Sequence, residues 1–172
     1  MFTILCIART SETLGMIFDD VSFADAIWRN PASKMKMGKP HDVPLSDAAL
    51  AILGYQMAQR GKSAFVFPGG RPRQPLSAMA MAMLMRRMGA GEFTVHGFRS
   101  AARSWMADNG VEFELAEQCL AHAVGNGVVQ AYQRSSLLER RRPVMQRWAD
   151  FLGGRAESGA AVVSIGSRQK RP

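Results

Sequence analysis

Acidic residues are scarce in this chain: 14 Asp and Glu stand against 22 Lys and Arg, a formal net charge of +8 over 172 residues. An excess of that sign favours a polyanionic partner, most simply DNA or RNA. Cysteine is scarcer still. Cys6 and Cys119 are the two present; they imply no disulfide framework, and both lie in apolar stretches where buried thiols are expected. Long hydrophobic runs are missing, since no segment approaches the roughly 20 residues of a membrane span. The opening "MFTILCIA" has neither a basic leader nor a cleavage site, so a signal peptide is not expected and a reducing cytoplasm is. Histidine numbers three. His122 follows Cys119 by three, as in half a zinc motif, but no second pair stands at ligand spacing, so neither a metal nor a cofactor is expected.

What is present is enough chain for one domain with a proper core. Residues 3–18 read as one helix. "AIWRNP" and "HDVPL" read as short strands around the turn-rich "ASKMKMGKP", a hairpin pattern. Ser46 is placed to cap a helix running towards Gly61, and Ser77 one that stops at Gly89. "SAFVF" reads as a short strand or extended run. Thr94 starts a further helix ending near Gly110, "EFELAEQCLAH" forms the next, "NGVVQAY" a short one, and "LLERRRPVMQRWADFL" a last amphipathic helix bent or begun at Pro143. The methionines of "SAMAMAMLMRRM" are expected to pack on a helix face rather than bind a ligand. The fold class is mainly α with a small antiparallel β-hairpin or sheet. From Gly153 on, apolar periodicity fades, and residues 153–172 read as a disordered basic tail.

Five residues stand out as chemistry: Arg9, His96, Arg99, His122 and Tyr132. Arginines clamp phosphate and the charge that develops on it. Tyrosine is a covalent nucleophile when a neighbour helps remove its proton, and histidine suits proton traffic at neutral pH. His96 and Arg99 are three apart at the start of a helix whose stripe is Phe98, Ala101, Ala102, Trp105 and Met106, so they share a face near an end that favours anions. Read singly, each has an ordinary alternative: Arg9 a snorkelling cation paired with Glu12, the lysine-rich hairpin a solvated loop, Tyr132 a half-buried phenol, Arg140–Arg141–Arg142 a solvated face. His41 looks like a strand-edge residue without a partner.

Taken together, "ARTSETLG", "KMKMGKPHDVPLS", "HGFRSAARSW", "CLAHAVGNGVVQAYQR" and "ERRRPVMQRWADFL" resemble the catalytic domain of the tyrosine recombinases, in particular the P4-type prophage and genomic-island integrases. The resemblance runs from about Ile4 to Leu152, and the catalytic domain is assigned to residues 1–152. It implies Arg9 as the first phosphate-binding arginine with Glu12 as its structural companion, Lys36 as the catalytic lysine, His96 and Arg99 as the H-x-x-R box, His122 as the second histidine, and Tyr132 as nucleophile. Lys34, Lys39, Arg103 and Arg134 become candidate DNA contacts.

The activity so implied is site-specific DNA recombination, in integration or excision of a mobile element, through a 3′-phosphotyrosine intermediate, without metal or ATP. The partner implied is double-stranded DNA. The family works as a homo-tetramer on DNA, whereas the isolated fragment is expected to be a monomer whose last helix packs on its own core through Val144, Trp148, Phe151 and Leu152. Localisation would be cytoplasmic and nucleoid-associated on DNA. Alanine at Arg9 or Arg99 is expected to remove cleavage at little cost in stability. The family's arm-binding and core-binding domains have no counterpart in the sequence, which reads as N-terminally truncated. The alternatives are a catalytically inactive DNA-binding remnant and a type IB topoisomerase-like relaxing enzyme.

Overall fold

The computed structural model describes residues 1–71, 73–122 and 134–155, with the side chains of 134–136 excepted. The architecture is mainly helical with one three-stranded antiparallel sheet, as the sequence pattern leads one to expect. The helices are α1 (Phe2–Leu5), α2 (Thr10–Leu14), α3 (Asp47–Ala58), α4 (Ala80–Arg87), α5 (Gly97–Asp108), α6 (Phe113–Cys119) and α7 (Arg134–Leu152). The strands are β1 (Val21–Ser22), β2 (Ile27–Asn30) and β3 (His41–Pro44), in the order β1-β2-β3. In the β2–β3 ladder, Trp28 pairs with Val43 and Asn30 with His41. The segment "NGVVQAY" and residues 156–172 of the basic tail lie outside the described residues.

Residues 3–18 are not one helix. α1 ends at Leu5 because Ile7 turns left-handed at φ 52°. Ala8 N then donates to Thr3 O and Ile7 N to Ile4 O, the two bonds of a Schellman close. A left-handed β-branched residue costs about 1–2 kcal/mol, and Ile7 offsets it by being buried, at 1 % exposure. α2 restarts at Thr10, where the Arg9 backbone N–H donates to Glu12 Oε2 at 2.8 Å. Ser46 caps α3 as expected, its hydroxyl accepting from Ala49 N–H. "SAFVF" contributes only an isolated bridge, Ile17 with Phe65.

The core gathers Phe2, Leu5, Met16, Trp28, Val43, Leu53, Ala102, Met106, Ala116, Met145 and Trp148. Cys6 and Cys119 are both buried free thiols, and burial pushes the Cys119 thiol up to about 12. α7 runs through Pro143 without interruption. It packs in cis: Val144 and Trp148 are buried, and Trp148 Nε1 donates to Ile4 O at 2.9 Å. Phe151 stacks on Trp148 at the rim and stays largely exposed.

Three other expectations change. The methionines along α4 pack inward only in part. No residue of the helix is fully buried; Met81 lies against α1, where the Thr3 hydroxyl reaches its Sδ at 3.6 Å, whereas Met83 and the flanking Met79 and Met88 are exposed. The arginine run is a solvated face only in part. Arg141 is buried and donates to Leu137 O and Gln118 O, while Arg140 and Arg142 pair with Glu112 and Glu139. Finally, His41 does have a partner: its Nε2 lies 3.4 Å from Arg141 Nη1.

The burial of His41 beside these arginines sets a pH dependence. Burial, then the charges of Arg141, Arg99 and Arg9, push the His41 imidazole down to about 3. The folded state therefore binds this proton less readily than the unfolded chain, whose histidine titrates near 6.5. Stability from His41 is complete above that value and falls as pH drops below it, by at most about 1.4 kcal/mol per pH unit. Urea unfolding at pH 7.5, 6 and 5 should show this loss, and His41→Asn should flatten it. An unchanged slope in the variant would assign the loss to other groups.

Candidate active site

Four of the six candidate catalytic side chains meet at one concavity. Arg9, Lys36, His96 and Arg99 line a cavity of about 470 Å³ together with Ala8, Thr10, Ser11 and Leu14. They arrive from three local structures, His96 and Arg99 sharing the start of α5, and each placement has an identifiable cause.

Arg9 stands at the break between α1 and α2. Its guanidinium bonds Glu12 Oε1 at 2.7 Å while its own N–H holds Oε2, so Glu12, 4 % exposed, fixes both ends of the residue. Glu12 thus has the supporting role expected of it. Lys36 follows Met35 in the connection between β2 and β3. Met35 is buried and Lys36 exposed, and Gly38, at φ 62°, turns the chain back towards β3. Among the described residues the Lys36 ammonium makes no ion pair. His96 sits at the N-cap of α5, also exposed. The helix begins three residues after Thr94, whose Oγ1 accepts from Gly97 N at 2.9 Å.

Arg99 is buried to 4 % exposure. Its Nη1 donates to Ile7 O, and its Nη2 donates to Leu120 O at 2.6 Å. Burial, then the neighbouring Arg9, lower its pKa to about 10 against an opposing effect of Glu12. It remains a cation at neutral pH.

His122 does not line the cavity. It lies just past α6, whose end repeats the motif of α1: Ala121 is left-handed at φ 52°, and His122 N donates to Glu117 O. Arg99 links the two regions through Leu120. Tyr132 lies outside the described residues. Of the candidate DNA contacts, Lys34 is bound to Asp20, and Arg103 Nε is bound to Glu117 at 2.6 Å. Lys39 is exposed on the β2–β3 connection and Arg134 heads α7. Sequence reasoning passed over Glu117, although a glutamate five residues before His122 at a helix end was a visible signal. Thr10 and Ser11 on the cavity wall carried none.

The basic concavity of two arginines, a lysine and a histidine stands on a mainly helical domain edged by a three-stranded sheet, a lining whose chemistry suits a phosphoanion. The comparisons give the family. The model of the phage integrase family matches residues 1–138, and the chain belongs to that family. It is 39 % identical over 166 residues to the prophage integrase IntA of Escherichia coli K12, covering 95 % of this chain and 40 % of that protein. It is 32 % identical over 168 residues to the integrase of Enterobacteria phage P4, covering 87 % of this chain and 38 % of that one. The chain therefore spans about two fifths of the length of these relatives. Among solved structures, the XerA recombinase shares the fold, with a TM-score of 0.57 at 18 % identity over 82 % of this chain and 55 % of that one. No described helix is long and apolar enough to cross a membrane.

The Arg99 contacts change one expectation. Removing this side chain leaves two carbonyls, one of them closing a left-handed helix end, without their donor. Unmet buried groups cost about 1–3 kcal/mol each. Arg99→Ala is accordingly expected to lose at least about 2 kcal/mol in chemical denaturation, and Arg9→Ala carries a cost of its own, because it leaves the buried Glu12 carboxylate without its cation. A small loss in Arg99→Ala would return Arg99 to a purely catalytic role.

Proposed function

We propose that this chain is the catalytic domain of a tyrosine site-specific recombinase, acting on double-stranded DNA in the integration or excision of a mobile element. The observation that carries the reading is the convergence of Arg9, Lys36, His96 and Arg99 on one cavity, from segments as far apart as residues 9 and 99. A solvated basic surface has no reason to bring an arginine pair, a lysine and a histidine to one concavity.

In the proposed reaction the Tyr132 hydroxyl oxygen attacks a backbone phosphorus and the P–O5′ bond breaks. The phenolic proton leaves towards His96. Lys36 gives a proton to the departing 5′ oxygen. Arg9 and Arg99 neutralise the non-bridging oxygens in the pentacoordinate transition state, and His122 hydrogen-bonds one of them. The product is a 3′-phosphotyrosine and a free 5′ hydroxyl. A 5′ hydroxyl of the partner strand attacks in turn, restoring tyrosine. Phosphoryl bond energy is kept throughout, so the balance calls for neither ATP nor a metal. Assembly into a tetramer on DNA, with each protomer cleaving one strand, completes the exchange; the free chain, its α7 packed in cis, is a monomer in this reading.

The test is covalent trapping on a nicked suicide DNA duplex, in which the broken strand diffuses away and strands the adduct. Wild type should give a denaturant-resistant protein–DNA band, and Tyr132→Phe should give none while keeping its fold and its salt-sensitive, largely sequence-independent DNA binding. An adduct that persists in Tyr132→Phe would falsify the nucleophile assignment. No adduct with wild type, despite DNA binding, would favour the non-catalytic remnant.

A further inference from the structure

Glu117 takes no part in the reaction as written, yet it is the most committed carboxylate near His122. Its two oxygens are divided between two partners. Oε1 accepts from Arg103 Nε at 2.6 Å, and Oε2 lies 2.7 Å from His122 Nδ1. Its main-chain carbonyl accepts the His122 N–H at 3.0 Å as well. Arg103 is itself fixed, its guanidinium 5.0 Å above the centroid of Phe113. Phe113, Arg103, Glu117 and His122 thus form a relay along one side of α5 and α6, ending at an imidazole that is 45 % exposed.

The chemistry of this relay fixes a proton. Burial tends to raise the Glu117 carboxyl, but the hydrogen bonds from Arg103 and His122 outweigh it and hold the group below the ordinary glutamate range. At neutral pH it is a carboxylate and can only accept. Nδ1 of His122 must then carry the hydrogen, and Nε2 is the nitrogen left for anything else.

We propose that Glu117 is the positioning residue of His122, holding the ring in its Nδ1–H tautomer with Nε2 presented to the scissile phosphate. This rests on the reading of the chain as a DNA strand transferase. When Nε2 donates to a phosphate oxygen the ring carries both protons, and the Glu117 carboxylate balances the charge, much as a carboxylate orients and supports a histidine in other catalytic and metal-bound pairs.

Glu117→Gln separates this from a merely structural role, because the side chain keeps its size and loses one acceptor. Arg103, a permanent cation, takes the remaining amide oxygen. The amide nitrogen then faces His122 Nδ1, which must become the acceptor. Long-range ¹H–¹⁵N NMR of the free protein, at a pH where the imidazole is neutral and with the His122 signal assigned by His122→Gln, should show Nδ1–H in wild type and Nε2–H in Glu117→Gln. Arg103→Met should retain the wild-type tautomer, since it spares the Glu117–His122 contact. Adduct formation by Glu117→Gln on the nicked duplex should slow about tenfold, the scale on which such supporting partners act, and its pH profile should shift.

A wild-type Nε2–H tautomer, or no change in Glu117→Gln, overturns the proposal. So does a switch in Arg103→Met, which would make the arginine the holder. The NMR outcome needs no DNA. If wild type forms no adduct, the strand-transferase reading fails while the tautomer result still decides what Glu117 does to His122.

Discussion

The buried guanidinium of Arg99 is the interaction on which the site depends. α1 and α6 both close on left-handed residues that are not glycine, Ile7 and Ala121. Such closures are disfavoured by about 1–2 kcal/mol each. Arg99 reaches from the third residue of α5 to Ile7 O on one side and Leu120 O on the other. Both helix ends are thereby tied to a single planar group. Two residues beyond each tied carbonyl stands a candidate catalytic side chain, Arg9 after Ile7 and His122 after Leu120. The group proposed to bind phosphate therefore also sets where two of its companions stand.

This arrangement crowds positive charge. Arg9 disfavours the charge of Arg99, and both, with Arg141, add to burial in keeping His41 neutral. Glu12 is the buried carboxylate that offsets part of this, bound to Arg9 at 2.7 Å. A guanidinium has five N–H donors, and Arg99 uses one on each of two carbonyls. Donors remain for an anion. A bound anion would relieve the repulsion between the arginines, which is consistent with the phosphate-binding role proposed for them.

What could be read from the sequence follows from how local each decision is. The hairpin strands were legible because alternation and a turn-rich insert are local signals, and Ser46 because capping is settled within one turn. The helix break at Ile7 was not: periodicity runs through it, and only the burial of Ile7 and the reach of Arg99 make the left-handed turn tolerable. "ERRRP" has the composition of a solvated face, and nothing in its own spacing shows that the middle arginine reaches Gln118 O while its neighbours pair with Glu112 and Glu139. His41 was misread for the same reason, its partner lying 100 residues away. The cluster itself was legible because residue types and order are distinctive, although the meeting of Lys36 with Arg9 in one cavity is a tertiary fact.

The site's cations divide into two kinds, and the division matches the work proposed for them. Arg9, Arg99 and Arg103 are held by Glu12, by two carbonyls and by Glu117. Lys36 and His96, by contrast, are exposed, and their side chains have no hydrogen-bond or ion-pair partner among the described residues. Charge stabilisation in a transition state gains from donors that need no reorganisation when the charge appears. Proton transfer has the opposite requirement: a lysine locked in a salt bridge would keep its proton, and a histidine engaged at both nitrogens could neither take nor return one. The same logic explains why Lys34, two residues before Lys36 and bound to Asp20, is the poorer candidate for the acid. In the proposed reaction the choice between these two lysines follows from which one the fold leaves uncommitted, and Lys36, next to the buried Met35, is the one that lines the cavity.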